Sequence, residues 1–385
     1  MSKARYVLGV LLMVTAILPS PAVAALPFHF GLYPPGPLDG ITDVSGVRVG
    51  HLTKIEGTAI RTGATAVLPN DDPWDRKVAA AFFAFNGNGE MTGTHWIEEA
   101  GYLEEPVVLT DTLDVGRAAD GVVSWMIEHH PAVGRGDDVP LPVVAECDDG
   151  LLNDIQARAV TPDDVVTLLD GAKPGQFARG TIGAGTGMNA FGFKAGIGSS
   201  SRVLPQTLGG YTVGVLVNDN TGSDRRLLNV LGVPVGARLR DELKPLIPHN
   251  VSLRGRMGSG SIIIVIATDA PLDSRQLRAL TLRAAMGMGR VGLTSYLGSG
   301  DLIVAFSTSH VFNRTADFTV SSPTTAILED EDTLNGIYGA TVEATQGAIY
   351  DALFEAHTLT GRNGATVYAM PVDRVMQMLR LAGAI

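Results

Sequence analysis

The chain is poor in covalent and ionic anchors. One cysteine, Cys147, occurs in 385 residues, so no intrachain disulfide is possible and the thiol is assigned to packing. No block of Lys and Arg interrupts a sequence of formal net charge −11 and pI near 5.2. A phosphate-tracking surface is thereby excluded, and with it nucleic acid as a partner. The histidines (His29, His51, His95, His129, His130, His249, His310 and His357) are scattered. None stands in HExxH or in a His/Cys cluster with metal spacing, so no metal is expected. His129 and His130 are placed at a helix end, where a cation favours the dipole. No GxSxG elbow occurs, which leaves an α/β-hydrolase reading without its central motif. Gly287-Met288-Gly289-Arg290-Val291-Gly292 fits GxGxxG but ends a helix instead of following a strand, as dinucleotide binding requires. No repeat or low-complexity segment is found, and past the N-terminus no apolar stretch reaches membrane-spanning length.

What is present is apolar and turn-rich. With 45% hydrophobic residues, 18% charged and 46 glycines, the chain can bury a substantial core and bring backbones close together. The first residues read as an export signal. Lys3 and Arg5 precede an apolar run from Val7 to Leu18, and Pro19 and Pro21 lead to the small-x-small site Ala22-Val23-Ala24 before Ala25. The run is too short for a comfortable anchor, so residues 1–24 are expected to be removed and the mature chain to be periplasmic or secreted, with no membrane partner.

Short β-like runs alternate with helices. Strands are expected at Val47–His51, Gly63–Pro69, Val143–Glu146 and Tyr211–Val217, and a helix from Asp111 to His130, stopped by Pro131. From Ser223 to Gly260 the chain carries Arg225, Arg226, Arg238, Arg240, Arg254 and Arg256 among prolines, with little periodicity. It reads as a surface excursion of the kind a processing site requires. After it come a strand from Ser261 to Thr268, a helix opened by an Asp273/Gln276 capping box and running to about Arg290, and a strand Leu302–Ser307. An amphipathic helix from about Leu334 to Ala356, a strand Ala365–Met370 and a helix from Asp373 complete the chain. This mixed order predicts an α/β architecture with helices outside two packed sheets.

Gly258-Ser259-Gly260-Ser261-Ile262-Ile263-Ile264-Val265 is the most informative stretch. A glycine-rich hinge meets a serine, and the serine opens a β-branched run that reads as a buried strand. Such a run is either a loop before a strand or a place where the chain cuts itself. A cut would leave Ser261 as a new N-terminus, its hydroxyl beside its own α-amine, whose ordinary pKa of about 7.7–8.0 suits a general base. A serine nucleophile for which nothing selects a histidine partner fits that mechanism, although a conventional Ser-His-Asp triad stays open. Gly298-Ser299-Gly300-Asp301 is either a hairpin turn or a hydroxyl and carboxylate aimed at a neighbouring strand's head, able to hold an ammonium or relay its proton. Gly183-Ala184-Gly185-Thr186-Gly187 is either a tight loop or a backbone-amide cradle for an oxyanion.

Several separated blocks, in one order, resemble the L-aminopeptidase/D-esterase family, which includes the β-peptidyl aminopeptidases. They are Ile41 to His51, Asn86 to Gly93, Gly185 to Met188 with Lys194 to Arg202, and Gly260 to Ile263 with Ala267 to Leu272. The resemblance covers about residue 36 to the C-terminus. It implies a four-layer αββα sandwich like that of N-terminal nucleophile hydrolases, differently connected. It also implies cleavage between Gly260 and Ser261, with 25–260 and 261–385 remaining one catalytic domain, and self-association into a homo-oligomer. On the same ground Ser261 resembles the nucleophile, and Ser299 and Asp301 the pair near its amine, a position where family members often carry Glu. Asn220 resembles the oxyanion asparagine, and Glu146 the acid that pairs with the substrate's ammonium. Asp148 stands where the family's tyrosine is expected; an ionised carboxylate cannot donate to an oxyanion, so Asp148 is expected instead to join Glu146 in binding the substrate's amine.

The function expected is that of an exported serine aminopeptidase acting without metal or organic cofactor on short peptides, amides or esters that have a free amino group. Two rivals are an acyltransferase with the same nucleophile and an inactive exported protein that binds amines or peptides.

Overall fold

The computed structural model describes residues 26–222, 224–248, 260–314, 320–321 and 329–385. The expected export signal lies outside them, as do Gly258 and Ser259. In chain order the main elements are β1 (Arg48–Glu56), β2 (Ile60–Leu68), β3 (Arg76–Gly87), α1 (Thr94–Ala100), β4 (Tyr102–Leu103) and β5 (Val107–Asp111). Next come α2 (Val115–His129), β6 (Val143–Cys147), α3 (Pro162–Asp170), β7 (Asn189–Ala190), β8 (Phe193–Lys194), β9 (Ile197–Val203) and β10 (Thr212–Asn220). Then follow α4 (Val235–Arg238), β11 (Ser261–Thr268), α5 (Ser274–Val291), β12 (Gly300–Arg314), α6 (Glu331–Phe354) and α7 (Val372–Leu381).

Two sheets form. One has the order β1-β2-β5-β6, the other β4-β3-β12-β11-β10-β9. β5 and β6 are parallel, as are β11 and β12; the other neighbours in these sheets are antiparallel. The β-branched run after Ser261 explains the layering. Ile262, Ile264 and Ile266 join a core with Leu277, Leu280, Ile349 and Leu353 of α5 and α6. Ile263, Val265 and Ala267 join another with Val67, Leu109 and Ala145 of the first sheet. A strand whose alternate side chains leave on opposite faces can be apolar throughout only if both faces are covered, and here both are. A third core seats Val122 and Trp125 of α2 and Val165 of α3 on the outer face of the first sheet, against Ala64, Ala66 and Val144. The order of layers is therefore helices, sheet, sheet, helices, as expected from the sequence.

Local signals account for several boundaries. Asp273 accepts from the Gln276 amide (2.7 Å) and Gln276 returns a bond from its side chain to the Asp273 amide (3.1 Å), the capping box read from the sequence. The GxGxxG match sits in the last turns of α5, which ends at Gly292 in the left-handed conformation (φ 101°).

Other expectations are corrected. Asp111 both ends β5 and caps a 3-10 turn, so the α-helix expected from Asp111 itself begins only at Val115. Its Oδ1 accepts from the amides of Leu113 (2.9 Å) and Asp114 (3.1 Å), turning the chain through Thr112–Asp114 into α2. α6 is not amphipathic over its length: every residue from Ala340 to Leu353 is buried, because the second sheet, α5 and the N-terminal Phe28 and Phe30 surround it. The final strand shrinks to Thr366–Val367. The arginine-rich stretch from Ser223 is partly core, since Leu228, Val230, Val233, Val235 and Leu239 are buried. Arg225 is buried with them, its guanidinium spent on the carbonyls of Gly192, Leu239, Glu242 and Leu243.

Candidate active site

The head of β11 fixes the site. Ser261 is paired with Asn220 on one side and Gly300 on the other. By the alternation of β11 its side chain leaves toward the first sheet, with Ile263 and Val265. There it meets the end of β6, which carries Glu146, Cys147 and Asp148. Ser261, Asn220, Glu146 and Asp148 line one cleft of about 740 Å³.

Asn220 is held at both ends of its amide. Its Oδ1 accepts from the Asn189 backbone amide (3.0 Å) and side chain (3.3 Å). Its Nδ2 donates to the Asp148 carbonyl (2.9 Å) and stands 3.5 Å from Ser261 Oγ. With the oxygen engaged by Asn189, the NH₂ group is the end that faces Ser261. Such a donor can stabilise negative charge developing beside the serine.

On the other flank lies Glu146, 5% exposed. Its Oε1 accepts from the Glu90 amide (3.0 Å) and its Oε2 from the Thr112 hydroxyl. Burial, more than any charge, pushes its carboxyl above the ordinary range, while the Thr112 and Glu90 bonds oppose that shift. A buried carboxylate facing a cleft is suited to receive a cation.

Asp148 is exposed, and its carboxylate folds back onto the Gly150 amide (2.8 Å). Its contact with the site runs through its carbonyl, which orients Asn220. Cys147 is buried beneath them, its thiol 3.6 Å from the Asn218 carbonyl. It packs in the core between the sheets with Ala145, Leu216 and Ile263.

Ser299 and Asp301 do not form a hairpin turn, because β12 runs parallel to β11. Ser299 donates to Asp301 Oδ1 (2.6 Å), and the Gly300 amide donates to the Gly260 carbonyl (3.2 Å). Burial raises the Asp301 carboxyl; the Ser295 and Ser299 hydroxyls lower it in part. The Asn86-to-Glu90 block now has a physical role. Asn86 and Asn88 donate to the carbonyls of Tyr296 (2.7 Å) and Gly298 (2.9 Å), pinning the turn that carries Ser299. Gly89 fits because a Cβ there would lie 3.2 Å from both Glu146 Oε1 and Gly300 Cα.

The Gly183 cradle is a tight loop and not part of the cleft. Its amides are used by Thr53 (2.8 Å from Gly183) and Thr65 (3.1 Å from Ala184), against the first sheet. No histidine lines the cleft among the described residues; His249 lies outside them. Asn189 and Thr112 were missed by the sequence reading. Only the neighbouring Gly185–Met188 block hinted at the first.

The peptidase family S58 profile matches residues 39–367. "Beta-peptidyl aminopeptidase BapA" of Sphingosinicella microcystinivorans is 40% identical over 359 residues, spanning 90% of this chain and 89% of that protein. A solved Burkholderia sp. β-aminopeptidase superposes with a TM-score of 0.83 at 38% identity, covering 92% of this chain and 97% of that one. The L-aminopeptidase D-Ala-esterase/amidase of Ochrobactrum anthropi, described as a prototype of the serine aminopeptidases and a variant of the Ntn hydrolase fold, gives 0.81 at 38% identity, covering 94% and 98%. Fold and similarity together define a serine-type aminopeptidase. The chain belongs to peptidase family S58.

Proposed function

We propose that the chain is exported, cuts itself between Gly260 and Ser261, and then removes N-terminal residues, β-residues among them, from short peptides, amides or esters. The observation that carries this reading is that Ser261, with the Asn220 amide beside it, shares one cleft with the buried Glu146 carboxylate. In the cut, Ser261 Oγ attacks the Gly260 carbonyl and its C–N bond breaks, freeing the Ser261 amine. Water then hydrolyses the ester and leaves a Gly260 carboxylate. In turnover the free amine takes the hydroxyl proton as Oγ attacks the substrate carbonyl, and Asn220 stabilises the oxyanion. The protonated amine gives its proton to the leaving group, and water releases the acyl residue.

Glu146 receives the substrate's ammonium and so sets the reading frame at one residue. The inclusion of β-residues is supported by the relatives that carry that name. The test compares free and N-acetylated forms of one peptide on the wild-type protein and on Glu146→Gln. Free peptides should be cleaved by the wild type more than tenfold better than capped ones, and the gap should close in the variant. Equal cleavage of both by the wild type contradicts the assignment.

A further inference from the structure

Asp219 has no part in the steps above. It alternates with Asn218 and Asn220 on β10, so its side chain leaves the sheet opposite Asn220, on the face where Val213, Val215 and Val217 meet α5 and α6. Its partner across β11 is Ile262, and the partner of Ile262 on β12 is Asp301. One row of three strands thus reads Asp219, Ile262, Asp301, one residue past Ser261 and on the face behind its hydroxyl. Both acids are buried, at 0% and 1% exposure. In each, one oxygen is engaged: Asp219 Oδ1 by the Thr221 amide (3.2 Å) and Asp301 Oδ1 by the Ser299 hydroxyl (2.6 Å). The other oxygen, Oδ2 of both residues, finds no partner of good geometry among the described residues.

Two buried, half-satisfied carboxylates in one row are costly unless a cation joins them. None is present. From β12 the charge acting on Asp219 is Asp301 itself, and from its own turn the Thr221 groups ease it. The buried Cys147 thiol of β6 feels both acids from the opposite face. Asp224 and Tyr296 border the small cavity beside Asp301, Asp224 paired with Arg226 (2.8 Å), and α5 contributes the apolar Met288. That cavity opens beside Gly260, where a Cβ would lie 2.4 Å from the Thr221 carbonyl carbon. A cut at this spot creates one new cation, the α-ammonium of Ser261.

We propose that Asp219 is a positioning residue for the nucleophile's amine: with Asp301 it forms a two-carboxylate clamp that holds the Ser261 ammonium and sets the pH at which it gives up its proton. This rests on the autocleavage proposed above. In the uncut chain the nitrogen of Ser261 is a neutral amide, and burial, opposed by the Thr221 hydrogen bonds and helped to a lesser degree by Asp301, pushes Asp219 up to about 7. After the cut the ammonium and the carboxylates stabilise one another, so the amine's pKa is raised in turn.

The test is Asp219→Asn, which keeps an oxygen for the Thr221 amide. Intact mass and N-terminal sequence first establish cutting in the parent and the variant; kcat/KM is then followed from pH 5 to 10. The acid limb should move to lower pH by about one unit or more, with activity above the limb within severalfold of the parent. A cut variant whose limb does not move overturns the proposal, because a purely structural role would lower activity without shifting it. If the variant is not cut, the uncut Ser261→Ala chain decides, with and without Asp219→Asn. A carboxyl raised from its unfolded value gives stability that is full at low pH and lost as pH rises toward about 7. Asp219→Asn should flatten that loss, and an unchanged slope overturns the clamp. A parent chain with no Ser261 N-terminus contradicts autocleavage itself, and the clamp with it; a cut parent with an immobile limb in the variant contradicts only Asp219.

Discussion

Asn220 concentrates the chemistry of single residues. One amide is oriented by Asn189 and by the Asp148 carbonyl so that its NH₂ faces Ser261. Asn220→Ala should lower kcat by roughly 10²–10³, the usual loss for one oxyanion donor, with KM changed much less. Glu146 makes a different prediction. It must be ionised to pair with an ammonium, and burial raises its carboxyl. KM for free-amine peptides should therefore rise on acidification at a pH above the ordinary carboxylate range, and Glu146→Gln should abolish that dependence. Steady-state kinetics across pH checks both. Asp148→Tyr tests the departure from the family pattern: since the carbonyl of residue 148 does the orienting, Asn220 should stay in place and catalysis should survive. At this scale the sequence was informative where chemistry is local. Ser261 was legible from the glycine before it and the β-branched run after it. Asn189 and Thr112 were not, because their partners lie 31 and 34 residues away and only the fold brings them together. Asp219 was hidden in a polar run whose alternation acquires meaning once β10 has two covered faces.

Among the elements, the β11–α5–β12 crossover positions the site. It brings Gly300 beside Ser261, and close packing at that point demands a glycine: a Cβ on Gly300 would fall 2.6 Å from the Asn88 carbonyl oxygen. Gly300→Ala should displace the Asn88 lock on the Ser299 turn. The expected loss is at least about tenfold in kcat/KM, with a destabilisation of roughly 1–3 kcal/mol measured by thermal unfolding. The turn from β5 into α2 carries a pH prediction. Burial pushes Asp111 up to about 9, helped by Asp149 and Asp114. Its contribution to stability is full below the unfolded carboxyl pKa and lost as pH rises toward about 9. Asp111→Asn should therefore raise Tm relative to the parent near pH 8–9 and change it little near pH 5; a parent-like pH profile contradicts this. The same turn shows why an element can be misread. The apolar periodicity of α2 is strong, and the cap that ends β5 is a single aspartate, which suits a helix start as well as a strand end. α6 was misjudged for the opposite reason. Its polar residues from Thr341 to Asp351 are themselves buried: Thr341 and Thr345 bond to carbonyls one turn back, and Gln346 bonds to Tyr350.

For the whole molecule the four layers make the two expected fragments inseparable. β11 would begin the second fragment, yet it lies between β10 of the first and β12 of its own and contributes to both cores beside it. Pulling the fragments apart would strip the first sheet from the Ile263, Val265 and Ala267 face of that strand and β10 from its edge, a cost carried by apolar burial and lost strand pairing. Fragments should co-purify through native chromatography and separate only in denaturant. The layers were legible from strand and helix order. What the order did not reveal was the partial burial of the segment after Ser223, whose arginines suggested solvent while its valines and leucines filled the core.

The central claim is that Ser261 becomes an N-terminus. Intact mass of the purified mature protein, followed by N-terminal sequencing of the smaller fragment, tests it most directly. Two fragments ending at Gly260 and beginning at Ser261 are predicted, and Ser261→Ala should leave one uncut, inactive chain. A fully active single chain, or a fragment that begins elsewhere, would contradict the account.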